Sequence, residues 1–331
     1  MKNKILLTGA DGFIGSHLLE LLVKKNYKVK ALCLYNSFNN WGWLDTVDKK
    51  ILNEVEIIAG DIRDKQFIDN NSKKVDTIIN LAALIAIPYS YEAIDSFIQT
   101  NIIGVNNILS SALKNNCQVV HTSTSEVYGV PEKFPISESD KVFAKSPYSA
   151  TKIAGDQLCH SYYRTFGLPV TLIRPFNTFG PRQSLRAIIP TIITQSILNK
   201  GKIKLGNIYP KRNFNYIKDI IVGFEKSLKI KFNGELINLG GGLEISIENL
   251  VELISKLLNK KIQIITDKSR NRPKKGEVNR LVASKVKSKK LLNWKPKYDN
   301  KIMFEKALFE TIEWYIENID LYKSKSKIYT K

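Results

Sequence analysis

The sequence predicts an α/β protein: a doubly wound parallel sheet carrying a smaller lobe built mainly from the C-terminal half. Three observations predict it. From Met1 to about Asn177, apolar strand-like runs alternate with helical stretches, the pattern of strands buried on both faces by crossover helices. The first run, Lys4-Ile5-Leu6-Leu7, passes directly into a glycine-rich turn and then a helix. Beyond Gly180 the alternation loosens, and Pro, Gly and basic residues become frequent.

The predicted strands, in order, are residues 4–7, 28–34, 55–58, 77–81, 119–123 and 169–174. After the first comes Thr8-Gly9-Ala10-Asp11-Gly12-Phe13-Ile14-Gly15, with helical periodicity from Ser16 to Lys25. A strand, a glycine turn and a helix start let bare backbone amides and the positive helix end approach a pyrophosphate. Dinucleotide binding is the functional reading of this GxxGxxG, and a tight turn with close helix packing is the structural one. After the run Gln118-Val119-Val120 comes His121-Thr122-Ser123-Thr124-Ser125-Glu126-Val127-Tyr128-Gly129. Ligands sit outside the carboxyl ends of parallel strands, so this hydroxyl-rich stretch with one carboxylate should face the cleft. Its hydroxyls also suit a turn that caps the next helix. In Ser146-Pro147-Tyr148-Ser149-Ala150-Thr151-Lys152, helical spacing puts Tyr148 and Lys152 on one face. An ammonium beside the phenol would help it ionise and make it a base.

A chain of 331 residues with 43% hydrophobic content can bury a substantial core. It contains no apolar run long enough to span a bilayer and meets a strand at once, so we expect a cytoplasmic protein without a membrane partner. Cys33, Cys117 and Cys159 lack metal-ligand spacing and read as small core residues, so no metal is expected. The net charge of +20 is spread as Lys through the chain without a nucleic-acid motif, which argues for a solvated surface and against a nucleic-acid partner. That field would also draw in a substrate carrying a diphosphate.

The glycine turn, the Ser/Thr strand end and Tyr-x-x-x-Lys, in this order, resemble the extended short-chain dehydrogenase/reductases, in the nucleotide-sugar epimerase and dehydratase branch. Further matches are Gly60-Asp61-Ile62-Arg63-Asp64, Leu81-Ala82-Ala83, Thr100-Asn101-Ile102-Ile103-Gly104, Arg174-Pro175-Phe176-Asn177, Gly180-Pro181-Arg182-Gln183 and Arg272-Pro273. Residues 35–45 and 83–90 are similar to the 4,6-dehydratases that open bacterial legionaminic acid synthesis.

The resemblance implies a Rossmann-like NAD(P)-binding domain over 1–178, with returns near 215–240, and a nucleotide-sugar lobe mainly over 179–331. It implies a tightly held NAD or NADP recycled within each turnover, contacted by Gly9, Asp11, Gly12, Phe13, Ile14, Gly15, Asn36, Asp61, Ile62, Leu81, Ala82, Ala83, Tyr148, Lys152 and Pro175. The end of the second strand, Leu34-Tyr35-Asn36-Ser37, holds neither an acid nor an Arg, so the choice of dinucleotide stays open. Asp61 either meets the adenine amino group or is an ordinary loop carboxylate.

For catalysis the resemblance implies a redox-neutral 4,6-dehydration of UDP- or GDP-N-acetylglucosamine. Tyr148 is the base for C4 oxidation, Lys152 lowers its pKa, Thr124 bonds the 4-hydroxyl, and Glu126 with Ser125 eliminates water across C5 and C6. Ile87 would shape the sugar pocket, and Asn177, Arg182, Arg212 and Arg272 would meet diphosphate or nucleotide. The rivals are UDP-glucuronate decarboxylase, 4-epimerase and a basic nucleotide- or RNA-binding module on the same fold. A homodimer through the Tyr148 helix is also implied, with Ala154, Leu158 and Tyr162 on one face.

Overall fold

A computed structural model describes residues 3–230, 234–267, 270, 278 and 280–323. Six strands build the first part of the chain: β1 (Lys4–Thr8), β2 (Lys28–Leu34), β3 (Val55–Gly60), β4 (Thr77–Asn80), β5 (Gln118–Thr122) and β6 (Val170–Pro175). The second part adds β7 (Thr178–Phe179), β8 (Lys202–Leu205), β9 (Lys211–Tyr216), β10 (Glu235–Leu239), β11 (Leu243–Ser246), β12 (Gln263–Thr266) and β13 (Arg280–Leu281).

Seven of these form one parallel sheet in the order β3-β2-β1-β4-β5-β6-β10. The expected Rossmann-like architecture is therefore present, each strand within two residues of its predicted bounds. Ile5 pairs with Val29 on one side and Thr77 on the other. The strand order thus reverses between β1 and β4, where such sheets bind ligands.

Apolar β1 residues alternate between the two faces: Ile5 and Leu7 enter one core cluster, Leu6 a second. Each buried Leu or Ile contributes about 1.5–3 kcal/mol of transfer free energy, so a one-residue register slip would reverse both faces. The three cysteines are buried free thiols, Cys159 included. Among the described residues, no helix is long and apolar enough to cross a membrane.

The helix Pro147–Phe166 borders the cleft. Ser146 and Ser149 form a reciprocal capping box, Pro147 occupies its first turn, and Gly167 ends it in the left-handed region at φ +69°. Its buried face carries Tyr148, Lys152, Gly155, Asp156 and Cys159, the spacing of one helical stripe.

The second part packs β9 between β11 and β13, with β8 and β12 paired apart. β10 returns to the large sheet beside β6. The C-terminal helix Lys301–Glu317 reaches back to the first part: Trp314 meets Trp43 edge-on at 5.6 Å, and Tyr322 lies 6.5 Å from Trp43.

Candidate active site

β1 delivers Thr8 into Gly9, which adopts φ +67°, and a Cβ there would lie 2.8 Å from the Ala82 amide nitrogen. A Cβ on Gly15 would collide with the Gly9 carbonyl, so the helix Phe13–Lys24 reaches the turn only through glycine. The Gly12 amide donates to Gly9 O at 3.1 Å. The result is a bare-backbone cradle at a helix N-terminus, which fits a dinucleotide diphosphate. Phe13 and Ile14 lean on the core beneath it. Thr8 fastens the opposite wall, its carbonyl accepting from Leu81 N and its hydroxyl from Ala82 N, both at 3.2 Å. Ala83 follows, half-buried, and Pro175 ends β6 beside Leu239.

Three expected cofactor contacts have other engagements. The Asn36 amide donates to Asn40 O at 3.0 Å and to Leu34 O at 3.4 Å, while its Oδ1 accepts from Phe38 N at 3.0 Å. Asp61 holds Arg63, with Nη2 to Oδ2 at 2.5 Å, and this pairing keeps its carboxyl below the usual range. Ile62 is a core side chain packed on Gly104. Sequence spacing places each at the cleft rim, but local hydrogen bonding and packing settle where its side chain goes.

Tyr148 is buried, and its phenol bonds the Thr124 hydroxyl. Burial pushes this phenol above its ordinary range, and the charges of Glu126 and Asp156 push the same way. Lys152 does not offset that rise: its Nζ donates to the Thr122 carbonyl at 2.5 Å, and burial lowers its own pKa. The i,i+4 spacing does bring both side chains to one buried face, but the end of β5 competes for the ammonium. Thr124 Oγ1 also accepts from Glu126 N at 3.2 Å, opening the short helix Ser125–Tyr128. Ser125 is buried and Glu126 half-buried.

A network that sequence reasoning missed lies behind these groups. Asp156, one turn beyond Lys152, accepts on Oδ2 from Ser123 Oγ at 2.7 Å and from Arg174 Nη2 at 2.8 Å. Arg174 also lies over the Tyr128 ring at 4.9 Å, and the Tyr128 hydroxyl donates to Asn238 on β10 at 2.9 Å. One buried ion pair therefore holds both ends of Ser123–Tyr128, the segment carrying Thr124, Ser125 and Glu126. On the other side, the Asn80 amide accepts from the Thr8 hydroxyl at 2.6 Å and lies 3.2 Å from His121 Nδ1, which anchors the imidazole. Burial, then the Lys152 charge, holds His121 neutral.

Asn101 was legible only as part of a family motif. It sits in the π-helical turn Gln99–Ile103, a feature frequent at functional sites. Its amide bonds both the N–H and the carbonyl of Leu84, and donates to Thr151 on the Tyr148 helix at 3.1 Å. It thereby fixes the apolar segment leading to half-buried Ile87.

The expected substrate contacts are dispersed. Arg182, at φ +65°, pairs with Glu20 on the first helix at 2.6 Å, while its Nε and Nη1 are buried without a hydrogen-bond partner. Asn177 accepts from Asn215 N at 2.8 Å through its backbone carbonyl. Arg212 lies half-buried on β9, whose Asn213 and Asn215 bond the Gly241-Gly242 turn. Arg272 lies outside the described residues.

The family model for GDP-mannose 4,6 dehydratase matches residues 6–307. The UDP-N-acetyl-alpha-D-glucosaminuronate decarboxylase of Bacillus cytotoxicus is 30% identical over 328 residues, covering 96% of this chain and 99% of the relative. Among solved structures, the DesIV double mutant, a dTDP-glucose 4,6-dehydratase from Streptomyces venezuelae crystallised with NAD, gives a TM-score of 0.86 at 29% identity, covering 97% and 99% of the two chains. The UDP-glucuronic acid 4-epimerase of Bacillus cereus, in complex with UDP-glucuronic acid and NAD, gives 0.83 at 28%, covering 95% and 99%. Dehydratases, decarboxylases and epimerases thus share this frame, and an NAD(P) cofactor and nucleotide-sugar chemistry go with it. The chain belongs to the NAD-dependent nucleotide-sugar epimerase/dehydratase family of the extended short-chain dehydrogenase/reductases.

Proposed function

We propose that the chain is a 4,6-dehydratase of UDP- or GDP-linked N-acetylglucosamine. The observation that carries this reading is that one hydroxyl links the two proton-transfer residues: Thr124 Oγ1 accepts from the Glu126 amide at 3.2 Å and bonds the Tyr148 phenol. A 4-epimerase needs only the phenol, whereas water elimination needs a second acid/base beside the ring.

A bound NAD(P), held over the Gly9–Gly15 turn, would supply a reversible hydride acceptor, which oxidation at C4 and reduction at C6 both require. Tyr148 removes the 4-hydroxyl proton while Thr124 bonds that oxygen. Lys152, seated on the Thr122 carbonyl, keeps a positive charge on the buried face behind the phenol. A carbonyl at C4 acidifies C5, so Glu126 can take the C5 proton. The 6-hydroxyl then leaves as water with a proton from Glu126 or water, and Ser125 polarises it; reduction at C6 is completed by a proton returned to C5 from water through Glu126. Arg182, with two unpaired nitrogens, and Arg212 and Arg272 serve the diphosphate and nucleotide.

The N-acetylglucosamine assignment and a place at the start of legionaminic acid synthesis rest on residues 35–45 and 83–90. Buried free cysteines suit a reducing cytoplasm. Exposed Ile94, Ile98, Ile103, Tyr163 and Phe166 support a homodimer through the Tyr148 helix and its neighbour.

The deciding experiment incubates the protein with UDP- and GDP-linked N-acetylglucosamine, glucose, mannose and glucuronate and follows product mass. Loss of one water from an N-acetylglucosamine nucleotide is the expected result. Loss of carbon dioxide from the glucuronate would make the chain a decarboxylase, and inversion at constant mass an epimerase.

A further inference from the structure

We propose that Asp11, in the glycine turn, is the residue that selects NAD over NADP in this chain. In dinucleotide-binding sheets an acid at the end of the second strand accepts from the ribose 2′-hydroxyl, and basic residues there accommodate a 2′-phosphate. β2 ends at Leu34 and is followed by Tyr35-Asn36-Ser37, with no acid. The structure supplies one from a different element: Asp11 Oδ2 accepts from the Leu34 amide at 3.3 Å. A carboxylate therefore stands at the strand end although the strand does not carry it.

Its position is fixed from several sides. The Asp11 carbonyl accepts from Trp43 N at 3.0 Å, and Ala10 N donates to Leu32 O at 3.2 Å. Gly42, at φ +59°, passes so close that a Cβ would lie 2.9 Å from Asp11 O. The polar alternative, Asn36, has its amide engaged within its own loop. Asp45 adds a second carboxylate nearby: burial chiefly raises the neighbouring Cys33 thiol, and the charges of Asp11 and Asp45 push it the same way. The cation at the end of β3, Arg63, is held on Asp61 at 2.5 Å. A 2′-hydroxyl here gains an acceptor, whereas a 2′-phosphate meets like charge. This holds whichever sugar reaction follows.

The test is calorimetric titration of the full chain with NAD and NADP, together with chromatography of any dinucleotide that copurifies. The wild-type chain is expected to copurify with NAD and to bind it at least about tenfold more tightly than NADP. Asp11→Asn should narrow that gap about tenfold, by tightening NADP. Asp11→Glu, which keeps the charge, should retain the preference, and Arg63→Ala should leave the ratio unchanged. Equal wild-type affinities overturn the proposal, as does a preference that survives Asp11→Asn in a variant with unchanged circular dichroism. A ratio governed by Arg63 overturns it as well.

Discussion

Asp156 and Arg174 form a buried ion pair, Oδ2 to Nη2 at 2.8 Å, with side chains 1% and 5% exposed. The pair bridges the Tyr148 helix and β6, and through Ser123 and Tyr128 it holds the segment between them. Removing one partner leaves the other charge buried, so Asp156→Asn should cost about 3–5 kcal/mol in urea unfolding. Replacing both by apolar residues, Asp156→Leu with Arg174→Met, should recover much of that loss while kcat stays low. Recovery of kcat along with stability would show that the pair does not position Thr124 and Glu126.

Glu126→Gln separates the two proton-transfer roles. Water loss should fall by about 10²–10⁴-fold, with cofactor affinity unchanged. Burial chiefly raises the Tyr148 phenol and the Glu126 charge adds to the rise, so removing that charge should shift phenol ionisation to lower pH. Ultraviolet difference titration against Tyr148→Phe would read that shift. Unaltered turnover would remove Glu126 from the mechanism.

The glycine turn leaves no room at its centre. Gly15→Ala places a methyl group against the Gly9 carbonyl, and dinucleotide binding should be lost in calorimetry even where the fold survives. Gly167→Ala is the control: it meets nothing within 4 Å, and its cost of about 1 kcal/mol should come from the left-handed backbone alone.

All three histidines, His17, His121 and His160, have their pKa lowered, first by burial, with His17 brought to about 4. Each binds its proton more readily in the unfolded chain. Their contribution to stability is therefore present above the unfolded His pKa of about 6.5. It is lost as pH falls from there toward the folded values. Asp69, lowered to about 2 chiefly by the Ser111 hydroxyl, adds a second loss below the unfolded Asp pKa of about 3.9. Urea midpoints measured from pH 7 to pH 3 should decline, and His17→Gln should flatten the upper part. A midpoint constant over that range would contradict both assignments.

The sheet was legible because its strands are buried on both faces and so read as continuous apolar runs such as Ile5-Leu6-Leu7. The glycine turn was legible because its chemistry is local. The partners of charged side chains were not. Arg182 was expected on a phosphate and is paired with Glu20, 162 positions away. Lys152 was expected on the phenol and sits on a strand end. Asp156, Arg174 and Asn238 were invisible as a unit because three separate elements bring them together. Asp11 was visible as a loop acid, but its place beside Leu34 depends on how the turn lies against β2.

β10 completes the large sheet beside β6 only after an excursion of about 60 residues through β7, β8 and β9 and their helices. A fragment ending at residue 178 would leave Val170–Pro175 as a naked edge, its backbone donors and acceptors open to pairing with other chains. During synthesis the ribosome holds the chain in that state until Glu235–Leu239 emerges. The fragment ending at residue 178 should therefore aggregate when expressed alone, whereas one extended through Leu239 can complete its own sheet.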